Sequence, residues 1–474
     1  MAGISTQHPS YSDMFPQWKK CSDVERGQRA VHAAGAEYLP KNGAESDTDY
    51  KARIKRSDFF NAFYRTVSGL SGMAFSKDPT IDLPGALDSY KADIDLAGTT
   101  LIGMAKDVVE DVLEYGRIGL LVDYPAMPEN VSAITQMTAE QMGLRPALKT
   151  YEARSIINWK TMRIGNRTVL AMVVLKECHM IAKDEFEDEK EERYRVLDLD
   201  EAGHYRQRVF VEKAGKAELL ETIYPVMSRA KLAFIPFRII GVNGMGFDVE
   251  EPPLIDLVDA NIAHYQVNSD IRVAMHFGVP TFCISGYTPV EGETITVGSR
   301  AAIILPDPQA KAYFAEPQGE MLPQMQAALK GIEQRMAILG ARMIADETRQ
   351  AETLGATQIK RAGENSVMAS LVLAVSDAFE WALGIMAQWA GVSGDIVFQI
   401  NREFNPLGLT AQDLQAVFAG VQQGIISERE AFDLLQRGDM IDGEKLFEEH
   451  QEEIGQQGPV APTLIPAAQG GMAA

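Results

Sequence analysis

The run from Gln318 to Gly391 constrains this chain more than any other segment, because it is long, almost free of proline and apolar beyond what one amphipathic face needs. As one unbroken helix it would reach about 110 Å at 1.5 Å per residue, several times the diameter of a small domain. Something must break or bend it. The place is A-D-E-T-R-Q-A-E-T-L-G, Ala345 to Gly355, where Asp346, Glu347, Thr348, Arg349 and Gln350 interrupt the apolar periodicity and Gly355 permits a turn. Two helices with a polar elbow between them are therefore expected. On the second, Val367, Met368, Leu371, Phe379, Leu383 and Trp389 project in nearly every direction at 100° per residue. A helix apolar all round is buried on all sides. The ordinary setting is the centre of a large helical domain; the sharper one is a ring in which neighbouring copies supply part of the cover. A bilayer span is not expected, since Asp377 and Glu380 interrupt the stretch.

A chain of 474 residues, 46% apolar, has the length for two or three domains with real cores. Cys21, Cys178 and Cys283 are widely spaced and form no C-x-x-C, which fits a reducing compartment and argues against a disulfide framework or zinc ribbon. The start, M-A-G-I-S-T-Q-H-P-S-Y, lacks a basic segment followed by an apolar one, so no signal peptide is expected. A formal charge of −21 disfavours a protein that grips nucleic-acid phosphates. It is compatible with a wall past which DNA slides.

Along the chain, the segment Trp18 to Gly35 has room for a short helix, and Ser46 to Phe75 reads as one capped helix with Phe59, Phe63, Val67 and Leu70 on its apolar stripe. Leu101 to Gly116 is an amphipathic helix, followed by a strand at Ile118 to Pro125, so a helix packs on a sheet. Further strands are expected at Ser155–Trp159, Thr168–Ile181, Glu192–Leu199, His204–Glu212 and Phe234–Val242. The acidic run Asp184 to Glu192 reads as a solvated hairpin loop, since it lacks the glycine and spacing of a calcium loop. G-V-N-G-M-G-F, from Gly241, has neither the Walker nor the dinucleotide spacing and is read as a loop. A helix follows from Pro253 to Gly278. Beyond it come strand candidates Thr281–Ser285, Glu293–Val297 and Ala301–Leu305, then the long helical pair, a returning strand at Asp395–Phe404, and a helical hairpin at Thr410–Leu435 with a Ser427/Glu430 capping box. The tail from Gly455 has a disorder-prone composition.

The residues give no reason to propose an enzyme. His264 and His276 share a helix but lie twelve residues apart, too far to ligate one metal from one face. Cys178 and His179 are adjacent on a strand and project to opposite faces, so adjacency does not make them nucleophile and base. No cofactor or metal is implied.

Four segments, in order, resemble a portal protein of tailed bacteriophages: F-F-N-A-F-Y-R-T-V-S-G-L-S-G-M-A-F at Phe59, V-L-E-Y-G-R-I-G-L-L-V-D-Y-P at Val112, P-P-L-I-D-L-V-D-A-N-I-A-H-Y at Pro252 and I-E-Q-R-M-A-I-L-G-A-R-M-I from Ile332. The resemblance spans roughly residues 8–440. It implies an α+β portal fold with an N-terminal arm (1–30), an α/β wing (31–245), a stem helix (253–278), a small β-rich clip (279–301), and a strand leading into the first half of a long kinked helix (302–345). A tunnel loop (346–356), the second half of the helix (357–392), a strand returning to the wing (393–408), crown helices (409–442) and a disordered tail (455–474) complete it.

By the same resemblance, Asp346, Glu347, Thr348, Arg349, Gln350, Glu352 and Thr353 would face DNA, and Tyr287, Thr288, Glu291 and Glu293 would dock the head-to-tail adaptor. The implied assembly is a homo-oligomer of about twelve subunits at one capsid vertex of a virion, assembled in the host cytoplasm. Its partners would be the terminase large subunit, the adaptor, the major capsid and scaffolding proteins, and double-stranded DNA passing through the channel. The competing expectations are another ring-forming virion or scaffold protein without a DNA channel, and a cytosolic metal-dependent enzyme.

Overall fold

The computed structural model describes residues 3–123, 145–213, 215–227, 230–278, 281–286, 309–315, 321–341, 367–402, 427–437 and 446–451. The fold is α+β. The chain divides into two compact units, Met1–Phe404 and Asn405–Ala474.

The first unit begins with α1 (Pro9–Glu25) and α2 (Gln28–Ala34). They are followed by α3 (Asp47–Arg56) and α4 (Ala62–Ala74) where the sequence suggested one helix. The break has local causes. The Ser57 hydroxyl donates to Arg53 O at 2.8 Å, and Asn61 Oδ1 accepts from Tyr64 N at 3.0 Å, a second N-cap. Ser46 caps α3 as expected, accepting from Asp49 N at 3.1 Å.

A short strand β1 (Thr80–Asp82) and a single turn α5 (Ser89–Ala92) lead to α6 (Leu101–Tyr115). Thr100 caps its start and Gly116, at φ 74°, its end; that left-handed conformation favours glycine. From there the chain enters β2 (Arg117–Asp123), which lies between β3 (Ala147–Glu152) and the later strand β11 (Phe237–Gly241) in a three-stranded antiparallel sheet. Strands β4 (Ile156–Ile164), β5 (Arg167–Ala182), β6 (Asp188–Leu199), β7 (Tyr205–Lys213) and β8 (Lys216–Ile223) form a five-stranded antiparallel meander. The acidic run is only partly loop. Asp184 Oδ1 accepts from Phe186 N and Glu187 N to make the turn, while Asp188–Glu192 pair with Ala182–Cys178.

A polar chain ties the two sheets together. Lys149 meets Asp123, which accepts from Gln207 Nε2 at 2.8 Å; Gln207 Oε1 accepts from Arg195, and Arg195 holds Glu177 at 2.6 and 3.2 Å. Tyr151 of β3 also donates to Glu177, at 2.7 Å.

After the two-residue strands β9 (Val226–Met227) and β10 (Ala230–Lys231), β11 (Phe237–Gly241) pairs with β2. The glycine loop that follows is held by Glu250, whose Oε2 accepts from Val242 N at 3.0 Å. It is a turn with a structural carboxylate. Helix α7 (Ile255–Phe277) runs to Gly278, and β12 (Thr281–Ser285) pairs with β13 (Lys311–Ala315), a strand the sequence did not reveal. The strand candidates Glu293–Val297 and Ala301–Leu305 lie outside the described residues.

Helices α8 (Met321–Ala341) and α9 (Val367–Ala390) are the two halves of the apolar run. By length and mean hydropathy α9 could cross a membrane, yet 67% of its most apolar window is buried in the protein. It packs on α6, β2 and β11. Its own chain thus supplies most of its cover, with Met368, Leu371, Val372, Phe379 and Leu383 buried. Each such side chain contributes about 1.5–3 kcal/mol. The returning strand is the three-residue β14 (Val397–Gln399), paired with β1 in a two-stranded ribbon. Two α9 side chains hold the returning segment: Glu380 Oε1 accepts from Phe398 N, and Ser376 Oγ accepts from Ile400 N.

In the second unit, α10 (Glu428–Arg437) starts with the expected capping box. Ser427 Oγ accepts from Glu430 N, and Glu430 Oε2 accepts from Ser427 N at 2.9 Å. Phe432 is buried edge-on against Phe447 at 5.4 Å.

Candidate functional site

The feature that needs a functional account is the helix–ribbon–helix formed by α7, β12–β13 and α8. Its root is firmly set. Asn261, fully buried, accepts from Ala62 N and Phe63 N at 3.0 and 3.1 Å and donates to Phe60 O at 2.8 Å, so a side chain on α7 caps α4 from 199 positions away. Gln266 donates to Tyr38 O, Lys20 meets Asp259 at 2.7 Å, and Arg272 pairs with Asp58. Tyr265 is buried edge-on against Phe59. Burial fades along α7, from Leu257, Val258 and Asn261 at the root to an exposed Met275 near the end.

On α8 the residues turned inward are Leu322, Met325, Leu329, Ile332, Met336 and Leu339, spaced three and four apart, and α8 packs against α7. His264 reaches Glu333 across the pair at 3.4 Å. Gly340 passes close over α4, since a Cβ there would come within 3.0 Å of Thr66. The other face of α8 is open. Ala327, Ala328, Gly331 and Ile338 are exposed on it, and a shallow recess is lined by Asp256, Gly331, Gln334, Arg335, Ile338 and Leu339. The ribbon exposes Tyr313 and Phe314 at 51% and 58%. Met275, Met321, Ile338 and this aromatic pair leave apolar surface open along α7–α8, as Met162, Ile164, Met180, Phe186, Leu219 and Leu220 do on the meander, whereas the more apolar α9 is covered.

The expected DNA-facing residues Asp346, Glu347, Thr348, Arg349, Gln350, Glu352 and Thr353 lie outside the described residues, as do Tyr287, Thr288, Glu291 and Glu293. Among the described residues no three His, Cys, Asp or Glu side chains converge so as to hold a metal ion. Cys178 is exposed and free, and neighbouring His179 sits at 3.0 Å from Glu177, two positions away on its own face of β5.

A second concentration of charge lies on α6. Burial, reinforced by Glu152, Asp107 and Glu110, raises the Asp111 carboxyl to about 7. Burial, with Glu25 and Asp111, raises Glu114 to about 8. The Arg154 charge opposes the shift at Asp111, and a hydrogen bond with Tyr115 opposes it at Glu114. Sequence reading missed this cluster, although its spacing of 107, 110, 111 and 114 places all four carboxylates on one side of a helix.

Residues 253–390 match a family described as a domain of unknown function, DUF4055. That span includes the helix–ribbon–helix and α9. No curated protein matches the chain. Three solved structures align over most of its length. The virion of a native gene transfer agent particle aligns at 14% identity and TM-score 0.40, covering 86% of this chain and 98% of that one. The neck of an empty gene transfer agent particle, computed with C6 symmetry, aligns at 14% identity and TM-score 0.41, covering 83% and 94%. The neck of the native particle, computed with C12 symmetry, aligns at 13% identity and TM-score 0.40, covering 85% and 98%. Likeness at this level leaves the assignment to features of the chain itself.

Proposed function

We propose that this chain is a portal-type subunit: a ring of about twelve copies at one vertex of a virion, through which double-stranded DNA enters and leaves. The observation that carries the reading is the second apolar face of α7–α8. The first face closes the pair internally with a three-four spacing, and the second, with Ala327, Ala328, Gly331 and Ile338, is left open in the isolated chain. Gln334 and Arg335 share this face, so it is a mixed strip whose small residues let another surface approach a rooted helix closely. Repeating one chain around an axis covers such a face with no second gene product, and the contact is then heterologous and closes into a ring. The order of the portal-like segments along the sequence supports the same reading.

In this role the protein performs no chemistry. The acidic balance of −21 keeps passing DNA from adhering, and the polar elbow over residues 346–356 would be the part that moves against DNA while the helices stay packed. The terminase would supply ATP hydrolysis from outside the ring, the clip residues would receive the adaptor, and the capsid and scaffolding proteins would surround it. Electron microscopy of the purified chain with light scattering tests the assembly, and the expected result is a ring of about twelve subunits with an open axial channel. A compact monomer or dimer at every concentration and salt tested, with or without a scaffolding protein, would remove the reading. Deleting Asp346 to Thr353 tests the loop: rings should still form while genome packaging or retention fails.

A further inference from the structure

The β5–β6 hairpin reaches past the rest of the meander. β4 pairs with β5 only as far as Leu175, and β7 with β6 only from Arg193. From Lys176 to Glu192 the two strands therefore form an arm with no third strand on either edge among the described residues. Its tip is a fixed turn: Asp184 Oδ1 accepts from Phe186 N at 2.8 Å and from Glu187 N at 2.9 Å, and Lys183 N donates to Glu187 O at 2.8 Å. That turn holds Phe186 out at 92% exposure. An aromatic ring on a set turn loses little freedom on docking and buries a large apolar area when it docks. Carboxylates surround it. Glu187 meets Lys183, Glu191 meets Arg193 and Glu192 meets Lys176, which leaves Glu185, Asp188 and Glu189 exposed without a cationic partner among the described residues.

The recess on the open face of α8 has the complementary character. Ile338 is exposed, Leu339 is half-buried, and a Cβ at Gly331 would meet nothing within 4 Å, so the floor is apolar and unobstructed. Its volume of about 440 Å³ has room for a phenyl ring. Arg335 lines it beside a single carboxylate, Asp256, and Lys330 stands next to Gly331 in sequence. Both cations are exposed, with no carboxylate partner among the described residues. The only acidic residue of α8, Glu333, is turned toward His264 on α7, so the open face is locally basic on a chain of formal charge −21. In the single chain the ring and the recess do not meet, since Phe186 lies almost bare.

We propose that the Phe186 tip of one copy seats in the α8 recess of the next, with the ring against Gly331, Ile338 and Leu339 and with Glu185, Asp188 and Glu189 facing Lys330 and Arg335. The aromatic anchor supplies the buried area and the charged rim sets the orientation. Knob and recess sit on different elements of the same chain, so every copy carries both halves. The contact is heterologous: each copy extends its arm to one neighbour and receives the arm of the other. It rests on the portal-type reading and adds which part of a neighbour covers α8.

The test is made on the full chain with Phe186→p-benzoylphenylalanine, irradiated after assembly. Denaturing gels and mass spectrometry of the joined peptides read the contact, and light scattering on the same sample reads the particle mass. The expected result is a ladder of covalently joined copies in ring-sized particles, with position 186 of one copy bonded within Ala327–Leu339 of another. The yield should fall about tenfold in Arg335→Glu, where like charges then face each other, and return when Glu185→Lys and Asp188→Lys are added. Rings of full mass whose photoproducts miss α8, or that give none, would overturn this contact and leave the portal-type reading standing. Bonding to α8 in particles too small for a ring would support the contact and remove the ring. A monomer at every concentration, with no joined copies, would remove both.

Discussion

Replacing Asn261 tests whether the helix pair is anchored through hydrogen bonds or merely through packing. The side chain is fully buried and makes three hydrogen bonds to the backbone at the start of α4. Its loss strands groups unequally. Phe63 N, in the first turn of α4 and in a 0%-exposed residue, is left with no intrahelical acceptor, whereas Ala62 N keeps a 2.9 Å contact with Phe60 O, and Phe60 is 43% exposed, so its carbonyl can rehydrate. One bare buried N–H costs about 1–3 kcal/mol, and the two weakened groups add roughly another 1 kcal/mol, for a total near 3 kcal/mol. Asn261→Ala confounds this with a cavity. Asn261→Leu fills the volume and removes only the polar contacts. Both are expected to shift the urea midpoint of the first unit, followed by tryptophan fluorescence, by an amount worth about 3 kcal/mol at unchanged slope. If Asn261→Leu melts with the wild type while Asn261→Ala does not, the anchor is packing and the hydrogen-bond reasoning is wrong.

Three further expectations follow from buried charge and close packing. Asp111 and Glu114 have folded-state values raised to about 7 and about 8 by burial and neighbouring carboxylates, so the fold holds their protons. Stability should therefore fall as pH rises from about 4 toward 8, by on the order of 4 kcal/mol per group before their mutual coupling is counted; Asp111→Asn with Glu114→Gln should melt higher at pH 8 and flatten the slope, and parallel pH profiles would count against it. Glu177 has the opposite sign: burial pushes it up, but the Arg195 hydrogen bonds and charge, with the hydrogen bonds from His179 and Tyr151, together outweigh burial and hold it at about 2. Its contribution, on the order of 3 kcal/mol, is present above about 4.5 and lost as pH falls through about 2, so Glu177→Gln should destabilise at pH 7 and show a shallower acid limb in calorimetry. Finally, a Cβ at Gly119 would sit 2.3 Å from Phe237 Cζ, on a ring only 1% exposed. Gly119→Ala should cost about 1–3 kcal/mol in a urea melt, and adding Phe237→Leu should recover much of it; a neutral Gly119→Ala would mean that the ring moves freely.

Elements whose hydrogen bonds close within a few residues were readable from the chain alone. Thr100 and Gly116 bracket α6, Ser46 caps α3, and Ser427 with Glu430 opens α10, because a cap is a bond between neighbours in sequence. The same holds for the alternating strands β5 to β7 and for the start and end of α7, where Pro253 and Gly278 mark the limits. The short strands β1, β3 and β13 and the exposed edge strand β8 were missed. Their composition is unremarkable, and only pairing with Gln399–Val397, Asp123–Ile118, Ser285–Thr281 and Lys213–Gln207 defines them. Asn61 split a helix that periodicity joined, since the polar signal there is one residue long.

The candidate site divides the same way. Sequence by itself determined that two apolar helices follow a helix and a small β element, and the three-four spacing on α8 is written in residues 322–339. Only tertiary structure decided which helix its own chain would bury. Periodicity records how apolar residues are arranged on one helix, and α8 and α9 both satisfy it; cover comes from α6, β2 and β11 for α9, and mainly from α7 for α8. The anchoring by Asn261 belongs to the same class, because a buried polar atom acquires its meaning from groups that the fold brings in from far along the chain.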